Sequence, residues 1–119
     1  MLATDFLFKA SVVQMILVRD GSAAIGVLSR HYGVDEPLLK VGMPKGHSGN
    51  VGCYVSKTKT IHVVNQEYLE NPFVILHEFY HHLRTRSGEH RGNEKYANRF
   101  AEEFIEAFRV LQKWVSKES

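Results

Sequence analysis

Three histidines and a glutamate lie within one apolar stretch of the chain, "NPFVILHEFYHHL", residues 71–83. Burying imidazole and carboxylate groups is costly unless hydrogen bonds, opposite charges or a metal ion compensate them. His77, Glu78 and His81 form an HExxH motif. Because a four-residue step advances about 400° around a helix, His77 and His81 lie one turn apart on the same side. The spacing therefore predicts two ligands for one metal ion.

The position of Glu78 is typical of a general base rather than of a third ligand. On the helix it lies about 100° round from His77, so its carboxylate can reach a water molecule held at the ion more easily than the ion itself. The motif is short enough to occur by chance. Its setting on a capped and strongly apolar helix is, however, the one that the chemistry requires.

A third ligand is expected from the segment "NEKYANRFA", which carries Glu94. A catalytic zinc site uses three protein ligands and leaves one position open. Glu94 and Asn98 are an i, i+4 pair on the flank of an apolar stripe, so both should face the interior side of their helix. Asn98 could then hydrogen-bond a liganding imidazole. A first-turn glutamate also complements the helix dipole, but beside HExxH the ligand interpretation is favoured.

Other residues near the motif are weaker candidates. His82 points about 100° away from the second histidine of the motif, which makes shared coordination of one ion poor. His90 lies between the two helices and could be a ligand or could donate to a developing oxyanion; it ranks below Glu94 as a ligand. Tyr80 and Tyr96 are further candidates for the oxyanion donor, and His90 is preferred to them because a loop residue is more mobile.

The helix that carries the motif has clear end signals. Asn71 is a suitable N-cap, and Pro72 occupies the first helical position, where its missing N–H does no harm. The helix is expected to end at about Arg86, where "SGEHRGN" begins, and a second helix begins near Asn93. The apolar residues of the second helix recur at three and four and predict one broad buried stripe. That stripe comprises Ala97, Phe100, Ala101, Phe104, Ile105, Phe108 and Leu111.

Two helices are expected before the site. The first would be capped by Thr4 or Asp5 and run toward Arg19, although "SVVQMILV" also fits a strand. The segment "SAAIGVLSRHYG" has apolar residues on one helical face and a glycine, Gly33, as its stop. The first segment is interpreted as a helix. The second resembles the first half of a helix-turn-helix, but a packing helix is favoured.

Three short strands are expected between these helices and the motif. They fall at residues 38–41, 52–56 and 60–64, and the last two form a hairpin. Alternation in the third strand places Ile61 and Val63 on one face and His62 on the other. His62 and the loop residue His47 could be ligands, but a single histidine in a strand or loop is usually a partly exposed side chain.

Length and composition limit the possible classes of protein. A chain of 119 residues, 44% hydrophobic and 24% charged, has the size and composition of one globular domain. A net charge of +2 is too weak to predict binding to nucleic acid or to a membrane surface. Cys53 is the only cysteine, which suits a reducing compartment. With no signal-peptide pattern and no apolar run that spans a bilayer, a cytoplasmic protein is expected.

The segments "VILHEFYHHL" and "NEKYANRFAEEF" resemble the HExxH and ExxAN-x-FA pair of the gluzincin metallopeptidases, specifically the ImmA/IrrE-type proteins and the archaeal minigluzincins. The resemblance extends over about residues 51–104, where "GCYVSKTKTIHV" is similar to the family's sheet. It implies zinc bound by His77, His81 and Glu94, catalysis by Glu78 and a supporting role for Asn98. The family includes members that cut repressor proteins, but a substrate does not transfer with the resemblance.

The expected fold is α+β: one minimal zincin-like metallopeptidase domain over residues 1–119. A small antiparallel sheet of about three strands would pack on the HExxH helix and on a C-terminal helix that carries the liganding glutamate, with one or two N-terminal helices. The expected function is zinc-dependent cleavage of peptide or protein substrates, with His90 as oxyanion donor and one hairpin strand pairing with substrate backbone.

The expected cleft lacks a second wall, and two other functions remain open. Few residues follow the apolar stripe, so the second wall of the cleft would come from "VLQKWVSKES", a second copy or a partner protein, and the isolated monomer would be weakly active or latent. The alternative function is a non-catalytic, zinc-stabilised regulatory or binding module, whose site a fourth ligand such as His90 would close. In a third possibility the same residues form buried hydrogen bonds without a metal.

Overall fold

The computed structural model describes residues 2–47, 49–86 and 94–118. The described residues form four α-helices: α1 (Leu2–Leu17), α2 (Gly21–Tyr32), α3 (Pro72–Arg86) and α4 (Glu94–Glu118). They also form three strands, β1 (Leu38–Val41), β2 (Gly52–Val55) and β3 (Thr60–Val63), and a 3-10 helix, Gln66–Glu70. The predicted α+β class is confirmed. None of the described helices has the length and apolar character needed to cross a membrane.

The three strands and the antiparallel hairpin expected from the sequence are confirmed, but the sheet is mixed, because the pairing of its first strand is parallel and not antiparallel. Its strand order is β1-β3-β2, with β2 antiparallel and β1 parallel to β3. The four-residue turn at 56–59 forces β2 and β3 to run in opposite directions. Strand β1 also runs opposite to β2, so β3, which lies between them, is parallel to β1. Strand β2 is left at one edge of the sheet.

One apolar core joins the helices to the inner face of the sheet. Ile61 and Val63 of β3 are fully buried, as the alternation predicted, while His62 is half-buried. Phe79 of α3 and Phe104 of α4 are also fully buried, and burying each such side chain contributes about 1.5–3 kcal/mol to folding. Helix α3 therefore lies with one side against the sheet and another against α4.

Helix α1 corrects one prediction about capping. It is described from Leu2, so Thr4 and Asp5 lie inside its first turns instead of capping it. The Asp5 carboxylate lies 3.2 Å from Lys9 Nζ, one turn further along. An acidic residue in the first turn complements the helix dipole without being a cap. The choice of helix over strand in this segment is confirmed.

The start of α3 follows the local signals in the sequence. Asn71 has extended backbone angles, φ −101° and ψ 102°, as expected before a proline. Its Oδ1 accepts a hydrogen bond from the backbone N–H of Val74 at 3.1 Å, which satisfies one of the free donors of the first turn. This cap fixes where α3 begins and hence which side of the helix its histidines occupy.

Strand β2 runs close to α3 because Gly52 has no side chain. A Cβ atom at Gly52 would lie 2.6 Å from Val74 Cγ1 and 3.5 Å from Glu78 Cγ. Contacts under 3 Å force a neighbouring group to move. The glycine therefore allows the edge strand to lie directly against the turn of α3 that carries Glu78.

Replacing Gly52 by alanine is expected to lower the free energy of unfolding by about 1–3 kcal/mol, because the added methyl group separates β2 from α3. Urea denaturation followed by circular dichroism measures this loss. The control is Gly49→Ala, since a Cβ there meets nothing within 4 Å and should change stability by less than about 0.5 kcal/mol. Equal effects of the two substitutions would show that close approach at Gly52 is not limiting.

Candidate metal centre

Helix α3 brings the three residues of the motif together. The ligand atoms of His77, Glu78 and His81 lie within 4.8 Å of one another, and the two imidazole ring centres are 5.1 Å apart. His77 and Glu78 are 9% and 8% exposed, so both are held in a largely dry environment. The geometry is the one expected from the i, i+4 spacing.

Glu94, the first residue of α4, closes the group from a second helix. Its Oε1 lies 2.8 Å from His77 Nε2, and its Oε2 lies 3.0 Å from His81 Nε2. The side chain is 75% exposed overall, so the carboxylate faces the imidazoles on one side and solvent on the other. This is the arrangement predicted for a third ligand, and it leaves one side of the group open.

The donor set fits a zinc ion. His77 Nδ1 lies 2.9 Å from Asn98 Oδ1, and because an amide oxygen only accepts hydrogen bonds, Nδ1 donates and holds the ring with Nε2 toward Glu94. Two imidazoles and one carboxylate are a common ligand set of catalytic zinc, and with bonds of about 2.0–2.1 Å tetrahedral ligand atoms lie about 3.3 Å apart. The separations between Glu94 and the two histidines differ from that value by a few tenths of an ångström. The metal-binding roles themselves stay a prediction.

Burial shifts the pKa of Glu78 and of His81 in opposite directions. Burial raises the pKa of Glu78 to about 7, while His77 opposes the rise and the Glu94 carboxylate adds to it. Burial also lowers the pKa of His81, and the nearby Glu94 acts in the opposite direction. A neutral His81 keeps a lone pair available for a cation.

Asn98 is expected to support binding through His77. Removing its amide oxygen with Asn98→Ala should weaken zinc affinity roughly 10- to 100-fold, because the His77 ring loses its orienting acceptor. Competition with a chromogenic zinc chelator measures the affinity. Asn98→Asp is the matched control, since a carboxylate also accepts from Nδ1–H and should preserve binding. An unchanged affinity in Asn98→Ala would contradict the supporting role.

His82 is held away from the site, as its position on the helix predicted. It is fully buried, and its Nε2 donates to the carbonyl oxygen of Asp35 at 2.7 Å. Its Nδ1 therefore accepts from the hydroxyl group of Tyr54, also at 2.7 Å. Since both ring nitrogens are engaged, His82 links α3 to β2 and to the segment before β1 and is not available as a ligand.

The remaining candidates for a ligand or an oxyanion donor are His62, Tyr80, Tyr96 and His90. His62 donates from Nδ1 to the carbonyl oxygen of Gly42 at 3.0 Å and is half-buried, which fits its interpretation as a partly exposed side chain. Tyr80 packs against Phe100 with ring centres 5.4 Å apart, and Tyr96 is 43% exposed. His90 falls outside the described residues, so its predicted role as oxyanion donor remains a prediction.

A cavity of about 520 Å³ adjoins the group and runs beside β2. Its lining includes His47, Asn50, Gly52, Cys53, Tyr54, Ser56, Glu78, His81, Thr85 and Glu94. Sequence reasoning treated His47 as an ordinary loop side chain. The tertiary fold, rather than any spacing relative to HExxH, brings its loop to this cavity, so no local signal could have identified it.

The chain matches no protein-family model, and neither a curated protein nor a solved structure is significantly similar to it. Inferences about function therefore depend on the residues of the site and on the chemistry they allow.

Proposed function

We propose that the protein is a zinc-dependent endopeptidase of the gluzincin type, in which His77, His81 and Glu94 bind zinc and Glu78 is the general base. The observation that carries this proposal is the position of the Glu94 carboxylate, 2.8 and 3.0 Å from the two imidazoles of HExxH. A first-turn glutamate that only complemented the helix dipole would not need to contact both imidazole rings. The buried Glu78 beside an open cavity supports catalysis rather than simple cross-linking of two helices.

In this proposal each side chain of the site has a separate role in peptide hydrolysis. Zinc supplies Lewis-acid chemistry that activates water and polarises a carbonyl group. Glu78 accepts a proton from the attacking water while the water oxygen bonds to the scissile carbon. Glu78 then gives that proton to the amide nitrogen as the C–N bond breaks and the amine leaves. Asn98 holds the His77 ring, and Glu94 would hold the ion together with the two histidines.

The edge strand suggests how a substrate is held. One edge of β2 pairs with β3, and no strand pairs with its other edge within residues 2–47, 49–86 and 94–118. Cys53 and Tyr54 of β2 line the cavity. An extended peptide could pair with this edge through backbone hydrogen bonds, which favours unfolded or loosely structured segments as substrates.

The cavity beside the group is open to solvent on one side. We propose that a second copy of the chain or a partner protein covers this side, so that the isolated monomer cleaves slowly or is latent. We also place the activity in the cytoplasm, because a single cysteine without an internal disulfide partner suits a reducing compartment.

The proposal is tested by metal content and metal-dependent cleavage. Protein purified without added metal should contain one zinc per chain, and at high concentration it should cleave an unfolded protein such as casein slowly. Cleavage should stop with 1,10-phenanthroline and return with zinc. Zinc bound without cleavage, together with four protein ligands by X-ray absorption, would instead favour the non-catalytic module. The absence of bound zinc, even after zinc is added, would leave only the metal-free hydrogen-bonded group.

A further inference from the structure

The loop at residues 42–51 contributes His47 to the same cavity as Glu78, His81 and Glu94. We infer that His47 is a catalytic residue whose imidazole donates a hydrogen bond to the oxyanion that develops on the scissile carbonyl. The inference rests on the proposed peptidase function and names a residue that the motif does not contain. It also differs from the assignment of this role to His90.

The first end of the loop is tied to the central strand of the sheet. The backbone N–H of Gly42 donates to the carbonyl oxygen of Val63 at 2.7 Å. The carbonyl oxygen of Gly42 accepts from His62 Nδ1 at 3.0 Å. Gly42 is thus held by both the backbone and a side chain of β3, so the loop leaves the sheet in a defined direction.

Three further backbone hydrogen bonds hold described residues of the loop. His47 N–H donates to the carbonyl oxygen of Pro44 at 3.2 Å, and Asn50 N–H donates to the carbonyl oxygen of His47 at 3.3 Å. Beyond them, Val64 N–H donates to the carbonyl oxygen of Val51 at 2.9 Å. A side chain carried on a loop fixed at both ends loses less freedom when it meets a substrate, which is the preorganisation that oxyanion stabilisation requires.

The cavity has two ends, and they are not equivalent. At the beginning of β2, Gly52 lies against Glu78, since a Cβ there would be 3.5 Å from Glu78 Cγ. Further along both elements, the Tyr54 hydroxyl of β2 contacts His82 of α3, so Ser56 and Thr85, which follow them in the chain and line the cavity, lie further from Gly52. Ser56 is four residues along an extended strand from Gly52, or roughly 13 Å at about 3.3 Å per residue. The loop that carries His47 therefore joins β2 at the end where the base lies.

Among the described side chains that line that end, His47 is the half-buried donor that has no other assigned role. Asn50 is exposed, whereas His47 is half-buried. The hydroxyl group of Tyr54 already donates to His82, and His81 is assigned to the metal. An imidazole N–H donates in both its neutral and its charged form. His47 can therefore stabilise negative charge on a substrate oxygen without first changing its protonation state.

Kinetics and inhibitor binding test this role together. His47→Ala should lower kcat roughly 10²- to 10³-fold with KM little changed, because the lost contact forms only as charge develops. His47→Gln keeps an N–H donor and should recover part of the rate. A phosphinic peptide, whose tetrahedral oxygens mimic the oxyanion, should bind His47→Ala at least tenfold more weakly by calorimetry, even where turnover is slow. The zinc content should stay at one per chain.

His31 provides a matched histidine control. His31 belongs to α2, and its ring stacks on Phe8 with ring centres 4.0 Å apart. It is not part of the cavity lining. His31→Ala should keep both the kcat and the phosphinic-peptide affinity of the wild type.

Different results would contradict the role of His47 and the proposed peptidase function. Unchanged kcat and inhibitor affinity in His47→Ala would overturn the inference alone, most directly if His90→Ala showed the loss instead. Loss of zinc from His47→Ala would make His47 a ligand and would also overturn it. A wild-type protein that binds neither zinc nor the phosphinic peptide would overturn the proposed function, and this inference with it.

Discussion

Replacing Glu78 by glutamine is expected to lower kcat for peptide hydrolysis roughly 10²- to 10⁴-fold while zinc content remains at one per chain. Glutamine has nearly the same size and shape, so the packing between α3 and Gly52 is preserved. Its amide cannot accept the proton of the attacking water, which is the step assigned to Glu78. Single-turnover cleavage of a quenched fluorogenic peptide, together with metal analysis of the same sample, measures both quantities.

The matched control is Glu102→Gln, which makes the same chemical change on an exposed position of α4 and should leave rate and zinc content unchanged. If Glu78→Gln loses zinc, Glu78 is a ligand and its assignment as a base is wrong. If the variant retains both zinc and full activity, another group must take the proton. The combination of retained metal and lost turnover is specific to the proposed role.

Local signals in the sequence were sufficient for the element that carries the site. Asn71 and Pro72 set the start of α3 because capping and the restricted backbone before proline act over three or four residues. The helical period then places His77 and His81 on one side whatever the rest of the fold does. The position of Glu94 depends on how two helices pack. Its place on the flank of an apolar stripe predicted that it faces inward; its carboxylate does contact both imidazoles, but the side chain is 75% exposed because it is the first residue of α4 and lies at the edge of the packed faces.

Features that depend on distant parts of the chain were not predictable in the same way. Whether β1 pairs with β2 or with β3 is decided by which strand lies in the middle of the sheet, and alternation within each strand does not encode that choice. The 3-10 helix at Gln66–Glu70 was missed because Asn65, which accepts from the N–H of Glu67 at 3.0 Å, caps only a single short turn. His47 reaches the cavity through the same non-local arrangement of strands.

The N-terminal helix shows how packing decides an ambiguous segment. Its β-branched residues favour a strand by local preference. Val12, Val13 and Ile16 are nevertheless fully buried on one side of α1, a spacing that only a helix presents as one face. Burial of that face in the common core outweighs the weaker local preference.

Replacing Glu94 by glutamine is expected to remove most of the stabilisation that zinc gives to the fold. A ligand that binds only the folded state stabilises it by about 2.7 kcal/mol when its free concentration is 100-fold above Kd, which corresponds to a rise in Tm of roughly 10 °C for a domain of this size. The wild-type protein should show this rise on addition of zinc, and Glu94→Gln should show little or none. Differential scanning calorimetry with and without zinc measures it.

The metal-free form of Glu94→Gln separates loss of a ligand from loss of structure. Because the Glu94 side chain is 75% exposed, its substitution should leave the metal-free Tm close to that of the wild type. Glu102→Gln should keep the full zinc-dependent rise, which excludes a general effect of removing negative charge from α4. A Glu94→Gln variant that retained the wild-type rise would show that the carboxylate is not a ligand. The two imidazoles would then need a different third partner, and only the hydrogen bond between Asn98 and His77 would link the site to α4.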